Sequence, residues 1–325
     1  MSSINVALLG FGTVGRGVYE IIEQEQKRLT EILGCSVNIV AILVDDETIE
    51  RNVPSHILVT SSAHDVLTQP VDVVIEAIVG VEPAYTYLSQ AIEKGCHIIT
   101  ANKEMFAHKG HELKQQAKER QVSVEYEATV AGGVPVINTL RQLVTVNRVV
   151  QIEAILNGTT NYILSEITNK QASFAEALQS AQQLGYAEAD PTNDLKGYDA
   201  LYKAIILAEL LTGTKVYGNH VFREGIKSVI KADVIHQQLK GSRVKHIATL
   251  NFGQGQIDIR VEPKWITSEH PLYHVEGVDN AIVMTGDYVG RLKLEGPGAG
   301  QYPTASVMVE DLVKIFSRER KLVNN

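Results

Sequence analysis

The segment Ile4-Asn5-Val6-Ala7-Leu8-Leu9-Gly10-Phe11-Gly12-Thr13-Val14-Gly15 constrains this chain more than any other feature. Ile4 to Leu9 is a short apolar run of the kind that forms a buried strand, and a helical pattern from Arg16 to Leu33 follows. The glycines between them read G-x-G-x-x-G in a strand–turn–helix setting, and each has its own task. Gly10 permits the tight turn, Gly12 lets a pyrophosphate approach the backbone, and Gly15 lets helix pack closely on strand. Phe11, Thr13 and Val14 complete the turn, with the amides of Thr13 and Val14 near a helix N-terminus, where an anion is favoured. The expectation is a dinucleotide-binding unit.

The alternation of strand and helix continues beyond it. Strands are expected at Val37–Val44, Val71–Ile78, His97–Thr100 and Val122–Tyr126, with helices at Pro83–Lys94 and Glu112–Arg120. Parallel strands joined by helices give an α/β fold with a Rossmann-type doubly wound sheet, whose ligands gather at the carboxyl ends of the strands. The second strand ends at Asp45-Asp46, where an acidic residue accepts a hydrogen bond from a ribose hydroxyl and favours NAD. Asp45 lies further beyond Gly15 than the ~20 residues usual for that residue. Arg51 is placed to serve a 2′-phosphate instead, and a polar loop without cofactor contact is the plain alternative, so NAD and NADP both stay open. Lys103 falls where a nicotinamide ring would lie; otherwise it is a surface lysine at a strand end. Gly132-Gly133-Val134-Pro135 reads either as a turn whose carbonyls cradle a monovalent cation or as a domain hinge.

A second landmark is the run Asp190-Pro191-Thr192-Asn193-Asp194-Leu195-Lys196-Gly197-Tyr198-Asp199-Ala200-Leu201-Tyr202-Lys203. On a helix Asp199 and Lys203 share one face, one turn apart. Ile206, Leu207 and Leu210 extend that face, while Leu201, Ala204, Ile205 and Ala208 cover the opposite flank, so the helix is apolar nearly all round and expected to be buried. A lysine there needs partners, and Asp190, Asp194, Asp199 and the upstream Glu188 supply negative charge. Such a lysine is a candidate proton donor and acceptor; the alternative is an ordinary ion pair on a solvated helix.

The 325 residues suffice for two domains. A net charge of −8 argues against nucleic-acid or anionic-membrane partners. No run approaches the ~18 apolar residues of a membrane span, and Met1-Ser2-Ser3-Ile4-Asn5 lacks the basic start of a signal peptide. Cys35 and Cys96 form no Cys-x-x-Cys pair, which fits a reducing cytoplasm and buried core positions.

Several stretches together resemble the homoserine dehydrogenase family: Asn102-Lys103, the Glu127–Pro135 loop, Asn157-Gly158-Thr159-Thr160-Asn161-Tyr162-Ile163-Leu164, and Gly185-Tyr186-Ala187-Glu188-Ala189-Asp190-Pro191. The Asp194…Asp199…Lys203 run, Gly296-Pro297-Gly298-Ala299-Gly300 and Pro303-Thr304-Ala305-Ser306 match as well. The resemblance implies reversible NAD(P)-dependent interconversion of L-homoserine and L-aspartate 4-semialdehyde, a step of threonine, methionine and isoleucine biosynthesis. It implies Lys203 as acid/base, Lys103 at the same oxygen or on the substrate, and Asp194 orienting Lys203. Glu188 and Asp199 would bind the substrate amino group. A sodium-type site would be drawn from Glu127, Val130, Gly132 and Val134, and Gly298 would approach the cofactor. Two neighbouring lysines would also lower one another's pKa. Many members carry a further threonine-sensing region, and no feedback by that route is expected from the residues up to Asn325.

The rest reads as an inserted α+β domain for substrate binding and dimerisation. A strand at Val149–Leu156 leads into Asn157-Gly158-Thr159-Thr160, whose hydroxyls and amides, Thr159 included, suit a carboxylate or cap the helix Tyr162–Thr168. Helices at Phe174–Leu184 and Asp199–Leu211 and a strand-rich stretch Arg243–Met284 follow. Gly286–Leu294 and a helix at Thr304–Arg318 are expected to return to the first domain. The boundaries so drawn are 1–130 with 286–325, and 131–285, with homodimer or homotetramer contacts on the second part. The competing readings are another amino-acid dehydrogenase and a nicotinamide sensor without catalysis.

Overall fold

The computed structural model describes residues 3–216, 221–253 and 256–323. They form two compact units, one of residues up to Gly133 with those from Gly300 onward, the other of Val134–Ala299.

In the first unit the apolar runs become parallel strands. In chain order they are β1 (Ser3–Leu9), α1 (Thr13–Gln24), α2 (Gln26–Leu33), β2 (Ser36–Leu43), β3 (Leu58–Thr60), α3 (Ala63–Thr68), β4 (Val73–Glu76), α4 (Ala84–Glu93), β5 (His97–Thr100), α5 (Lys103–Arg120) and β6 (Val124–Glu125). The sheet order β3-β2-β1-β4-β5-β6, parallel throughout, is that of a doubly wound dinucleotide fold, with its topological switch between β1 and β4. Both faces are covered, so the strands read as unbroken apolar runs: Val73, Val74, Ile98 and Ile99 are each 0% exposed. Cys96 is buried, its thiol against the Val71 carbonyl at 3.2 Å, while Cys35 is half-buried.

Two boundaries differ from expectation. The helix after the glycine turn breaks at Glu25 (φ −99°, ψ 16°) into α1 and α2, and the side chain of Gln26 donates to the Val37 carbonyl at 2.6 Å. Apolar spacing reports the buried face of a helix, not a one-residue dihedral break. The helix expected from Glu112 begins nine residues earlier, because Asn102 caps it by accepting from the Met105 amide at 2.9 Å. Gly110 lowers the intrinsic propensity of that segment by roughly 1 kcal/mol, but the Phe106 ring lies where its Cβ would be, and Phe106 stacks on Tyr126 at 4.2 Å. Tertiary packing overrides propensity here.

The second unit contains α6 (Val136–Leu143), β7 (Val149–Ile155), α7 (Gly158–Lys170), α8 (Phe174–Gln183), α9 (Thr192–Leu195), α10 (Tyr198–Thr212), β8 (Val221–Arg223), α11 (Lys231–Gln238), β9 (Ser242–Gly253), β10 (Gln256–Thr267), β11 (Asp279–Gly286) and β12 (Gly290–Pro297). Its sheet order is β12-β11-β7-β9-β10-β8, antiparallel except for the β8–β10 pair. α7, α10 and α11 pack against β9. Ile155, Ile247, Leu272, Val275 and Val283 form a separate apolar cluster beneath the 267–278 segment.

The stretch Gly286–Leu294 corrects the sequence reading. It does not return to the first domain: β11 and β12 pair as a hairpin from Asp279↔Pro297 to Gly286↔Gly290. Asp287 and Asn147 hold its tip, through Arg148 and the Val289 amide. The glycine-flanked turn 286–290 only joins two strands of one sheet. Residues 131–133 likewise group with the first unit. The last helix, α12 (Gln301–Val323), packs on α1 of the first unit, with Ala305 and Gln301 against Gly17.

Candidate active-site residues

The glycine turn is built as its spacing demands. Gly10 has φ +94°, and a Cβ there would meet the Ala77 carbonyl oxygen at 2.8 Å. At Gly15 a Cβ would lie 2.1 Å from the Gly10 carbonyl oxygen. Backbone is therefore packed on backbone at both positions. Gly12 is different: nothing lies within 4 Å of where its Cβ would be, and both Gly12 and Thr13 are exposed. The open ground lies over Gly12 at the N-terminus of α1, which is where a pyrophosphate belongs. These residues fit a dinucleotide.

At the end of β2, Asp45 is exposed. The Arg51 guanidinium is tied down, donating to the carbonyls of Asp46 (2.8 Å) and Ile49 (2.7 Å). Thr48 hydrogen bonds, with the Arg51 charge, hold the Asp46 carboxyl below its usual range. Glu47, which sequence reasoning passed over, reaches across to the Ser61 hydroxyl and amide. The loop is thus ordered by its own polar groups.

Between β4 and β5 lies a buried polar knot. Glu76 is 0% exposed and accepts from the Ile78 amide at 2.6 Å, the Thr100 hydroxyl and the Asn102 amide group. Asn102 also donates to the Gly80 carbonyl at 2.7 Å and caps α5. Burial pushes the Glu76 carboxyl up to about 7, its hydrogen bonds pulling the other way. Lys103 follows as the exposed first residue of α5 rather than the end of a strand. A cation there opposes the helix macrodipole, at roughly 0.3–1 kcal/mol, so its presence is not accounted for by helix stability.

The Glu127–Val134 loop begins as a single 3₁₀ turn, and Ala131 (φ 57°) and Gly132 (φ 53°) take left-handed conformations. Glu127 is buried, its amide bonded to Asp311 of α12 at 3.0 Å. Burial and the Glu125 charge push the Asp311 carboxyl up to about 7. The Glu127 carbonyl receives the Val130 amide at 3.3 Å and the Val134 carbonyl the Val136 amide at 2.8 Å, so part of the expected carbonyl set is already engaged. Among the described residues no trio of His, Cys, Asp or Glu is arranged to hold a metal; a cation here would rest on backbone oxygens.

In the second unit the expected lysine is buried and partnered. Gly197 (φ 79°) and Gly213 (φ 69°) bound α10, and Asp199 and Lys203 face inward, 6% and 8% exposed. The Lys203 ammonium donates to Asp199 Oδ2 and to the Leu156 carbonyl, both at 2.7 Å. Of its three protons, one has no acceptor among the described residues. Asn157, at the end of β7, joins the acids: its Nδ2 donates to Asp194 Oδ1 (2.7 Å) and Asp199 Oδ2 (2.9 Å), while its Oδ1 caps α7 at the Thr160 amide (2.8 Å). A cap residue thereby aligns two carboxylates. Breaking one member of a buried ion pair costs about 3–5 kcal/mol, so the arrangement is a rigid one.

The carboxylate on Lys203 is Asp199, whereas Asp194 is linked to the cluster through Asn157. Asp190 is exposed and bonded to Thr192, so it belongs to the turn before α9 and is not part of the lysine's surroundings. Glu188 is exposed, and its carboxylate has no partner among the described residues. The Thr159 hydroxyl donates to the Tyr186 carbonyl at 2.6 Å. Gly298 lies against Asn280, within 2.1 Å of its side chain for an added Cβ, which gives that glycine a packing reason. Sequence reasoning missed the Leu156 carbonyl, the Asn157 carboxamide as a bridge, and Asn280. The first and last carry no local signal; Asn157 was visible only as a helix cap.

Known proteins are similar to this chain over nearly its whole length. The homoserine dehydrogenase family model matches residues 135–313, and the homoserine dehydrogenase NAD binding domain model residues 10–127. The homoserine dehydrogenase of Bacillus subtilis (strain 168) is 40% identical over 323 residues, 98% of this chain and 74% of that protein. A homoserine dehydrogenase structure from Thiobacillus denitrificans superposes with a TM-score of 0.93 at 37% identity, covering 98% of this chain and 74% of the other. A hyperthermophilic archaeal homoserine dehydrogenase in complex with NADPH superposes at 0.82 with 28% identity, covering 96% and 97%. The chain belongs to the homoserine dehydrogenase family of NAD(P)-dependent oxidoreductases.

Proposed function

We propose that this chain interconverts L-homoserine and L-aspartate 4-semialdehyde, with Lys203 moving the proton. The observation that carries the reading is the Lys203 ammonium, buried on α10, with one N–H left without an acceptor among the described residues after Asp199 and Leu156 have taken two. When bound, the nicotinamide takes up or gives the hydride. Reduction of an aldehyde builds negative charge on its oxygen, which a fixed ammonium both stabilises and protonates. In oxidation the same lysine, deprotonated, removes the hydroxyl proton. Asp199 and Asn157 keep it aimed, and Asp194 extends the negative field that suits a substrate ammonium. Glu188, with a solvated carboxylate, and Thr159 are further proposed substrate contacts, and Lys103 a contact to cofactor or substrate.

The glycine turn supplies the anion seat for the cofactor, and Asp45 and Arg51 are the residues proposed to set the choice between NAD and NADP. We further read the Glu127, Val130, Gly132 and Val134 loop as the place for a sodium-type cation, the second sheet as the dimer or tetramer surface, and the setting as cytoplasmic amino-acid biosynthesis. No described helix is long and apolar enough to cross a membrane.

The test follows nicotinamide absorbance with L-homoserine, offering NAD and NADP separately. Turnover with either supports the reading, and the ratio of efficiencies in Asp45→Ala and Arg51→Ala shows which residue governs the ribose pocket. Cofactor binding without any turnover would sink it.

A further inference from the structure

Asn280 is fully buried at the start of β11, yet only half of its carboxamide is used. Its Nδ2 donates to the Leu156 carbonyl at 3.0 Å, and its Oδ1 is buried without a partner among the described residues. Burying an amide with one end unpaired is unfavourable, and Ile282 and Met284, next along that side of the strand, are apolar and buried. Packing alone would favour an aliphatic residue. Nor does Leu156 need a second donor to be satisfied, because Lys203 already occupies its carbonyl at 2.7 Å. A carbonyl has two lone pairs, and here both are taken, one by the amide and one by the ammonium. The sheet register brings this about: Ala281 pairs with Ile155, which sets Asn280 alongside Leu156.

Gly298 completes the arrangement. A Cβ on it would stand 2.1 Å from Asn280 Cγ, 2.3 Å from Oδ1 and 2.4 Å from Nδ2, so the carboxamide lies flat against the Gly298 backbone.

We propose that Asn280 is a positioning residue for Lys203: by filling the second lone pair of the Leu156 carbonyl it fixes the direction in which that carbonyl holds the ammonium, and position 298 is glycine to leave room for it. The inference rests on the reading of Lys203 as the proton-transfer group.

The test compares homoserine oxidation by the intact enzyme with Asn280→Ala, Gly298→Ala, the double variant and Lys203→Ala. Asn280→Ala and Gly298→Ala are each expected to lower kcat about ten-fold, as small misplacements of a reacting group do, with cofactor KM unchanged. The double variant should be no worse than Asn280→Ala, since the new methyl enters vacated space. The loss in Asn280→Ala should fall on kcat with the homoserine KM near its wild-type value, because the ammonium is misaimed at the reacting oxygen rather than removed from the site. A purely structural asparagine would lower the melting temperature and leave kcat per folded enzyme where it was. Gly298→Ala perturbs the amide without deleting it, so the idea stays testable if Asn280→Ala folds poorly. Wild-type kcat in Asn280→Ala, beside an inactive Lys203→Ala, would overturn the proposal. Cofactor KM raised by Gly298→Ala equally with and without Asn280 would overturn the role given to Gly298. Full turnover in Lys203→Ala would instead remove the underlying reading of the lysine.

Discussion

The glycine turn of the first unit and the lysine cluster of the second are made by opposite means. The turn is almost all backbone: Gly10 and Gly15 are tight because main chain lies where their side chains would be, and Gly12 is open. The cluster is almost all side chain, and its members come from the β7–α7 junction, α9 and α10, with Asn280 of β11 against the Leu156 carbonyl. A backbone seat is dictated by a few neighbouring residues. A side-chain constellation depends on register and packing far along the chain.

The largest effect that separates the two regions is expected from Lys203→Ala. Turnover should fall by ~10² to 10⁴-fold, the usual contribution of a positioned acid or base, while cofactor affinity stays at its wild-type value. Asn157 still donates to Asp199 in that variant, so the buried carboxylate keeps one partner and the protein should remain folded. Equilibrium cofactor binding and steady-state turnover on one preparation check both halves. A parallel loss of cofactor affinity would erase the distinction between the regions.

That distinction also explains what was legible. G-x-G-x-x-G followed by β/α alternation carries the whole first sheet, because parallel strands joined by helices allow few arrangements. The Asp199…Lys203 spacing likewise announces a shared helical face. Nothing near Leu156 says that its carbonyl will receive an ammonium from 47 residues away. Asn280 shows its part only once β11 lies beside β7. The β11–β12 hairpin was missed for a related reason, since a glycine-flanked turn looks the same inside a domain as between two. The early start of α5 was hidden by Gly110, which the Phe106 ring requires and helix propensity resists.

A pair of glycine substitutions sharpens the backbone side of the comparison. Gly15→Ala sets a methyl against the Gly10 carbonyl and should lower the melting temperature by several degrees, as a ΔΔG of about 1 kcal/mol or more does. Gly12→Ala meets no protein atom, so the melting temperature should hold while cofactor affinity falls about ten-fold through lost approach to the backbone. Thermal unfolding with cofactor titration distinguishes them. Equal destabilisation by both would contradict the open ground over Gly12.

The smallest effect concerns Glu76, the buried carboxyl at the switch point. Its pKa is raised on folding, from 4.5 to about 7. A raised carboxyl leaves stability intact below its unfolded pKa and reduces it as pH climbs through the folded value. The wild type should therefore lose stability between about pH 5 and pH 8, and Glu76→Gln should lack that component. The gap in melting temperature between variant and wild type should move in favour of the variant by roughly a few degrees across that range. A gap independent of pH would mean that Glu76 stays ionised throughout.

Whether Lys203 transfers the proton is decided by chemical rescue. Lys203→Ala is assayed for homoserine oxidation with small primary amines of graded basicity in the buffer. Turnover is predicted to be nearly absent without amine, to rise with amine concentration, and to follow amine basicity as general base catalysis requires. Wild-type turnover by Lys203→Ala in the absence of any amine would contradict it.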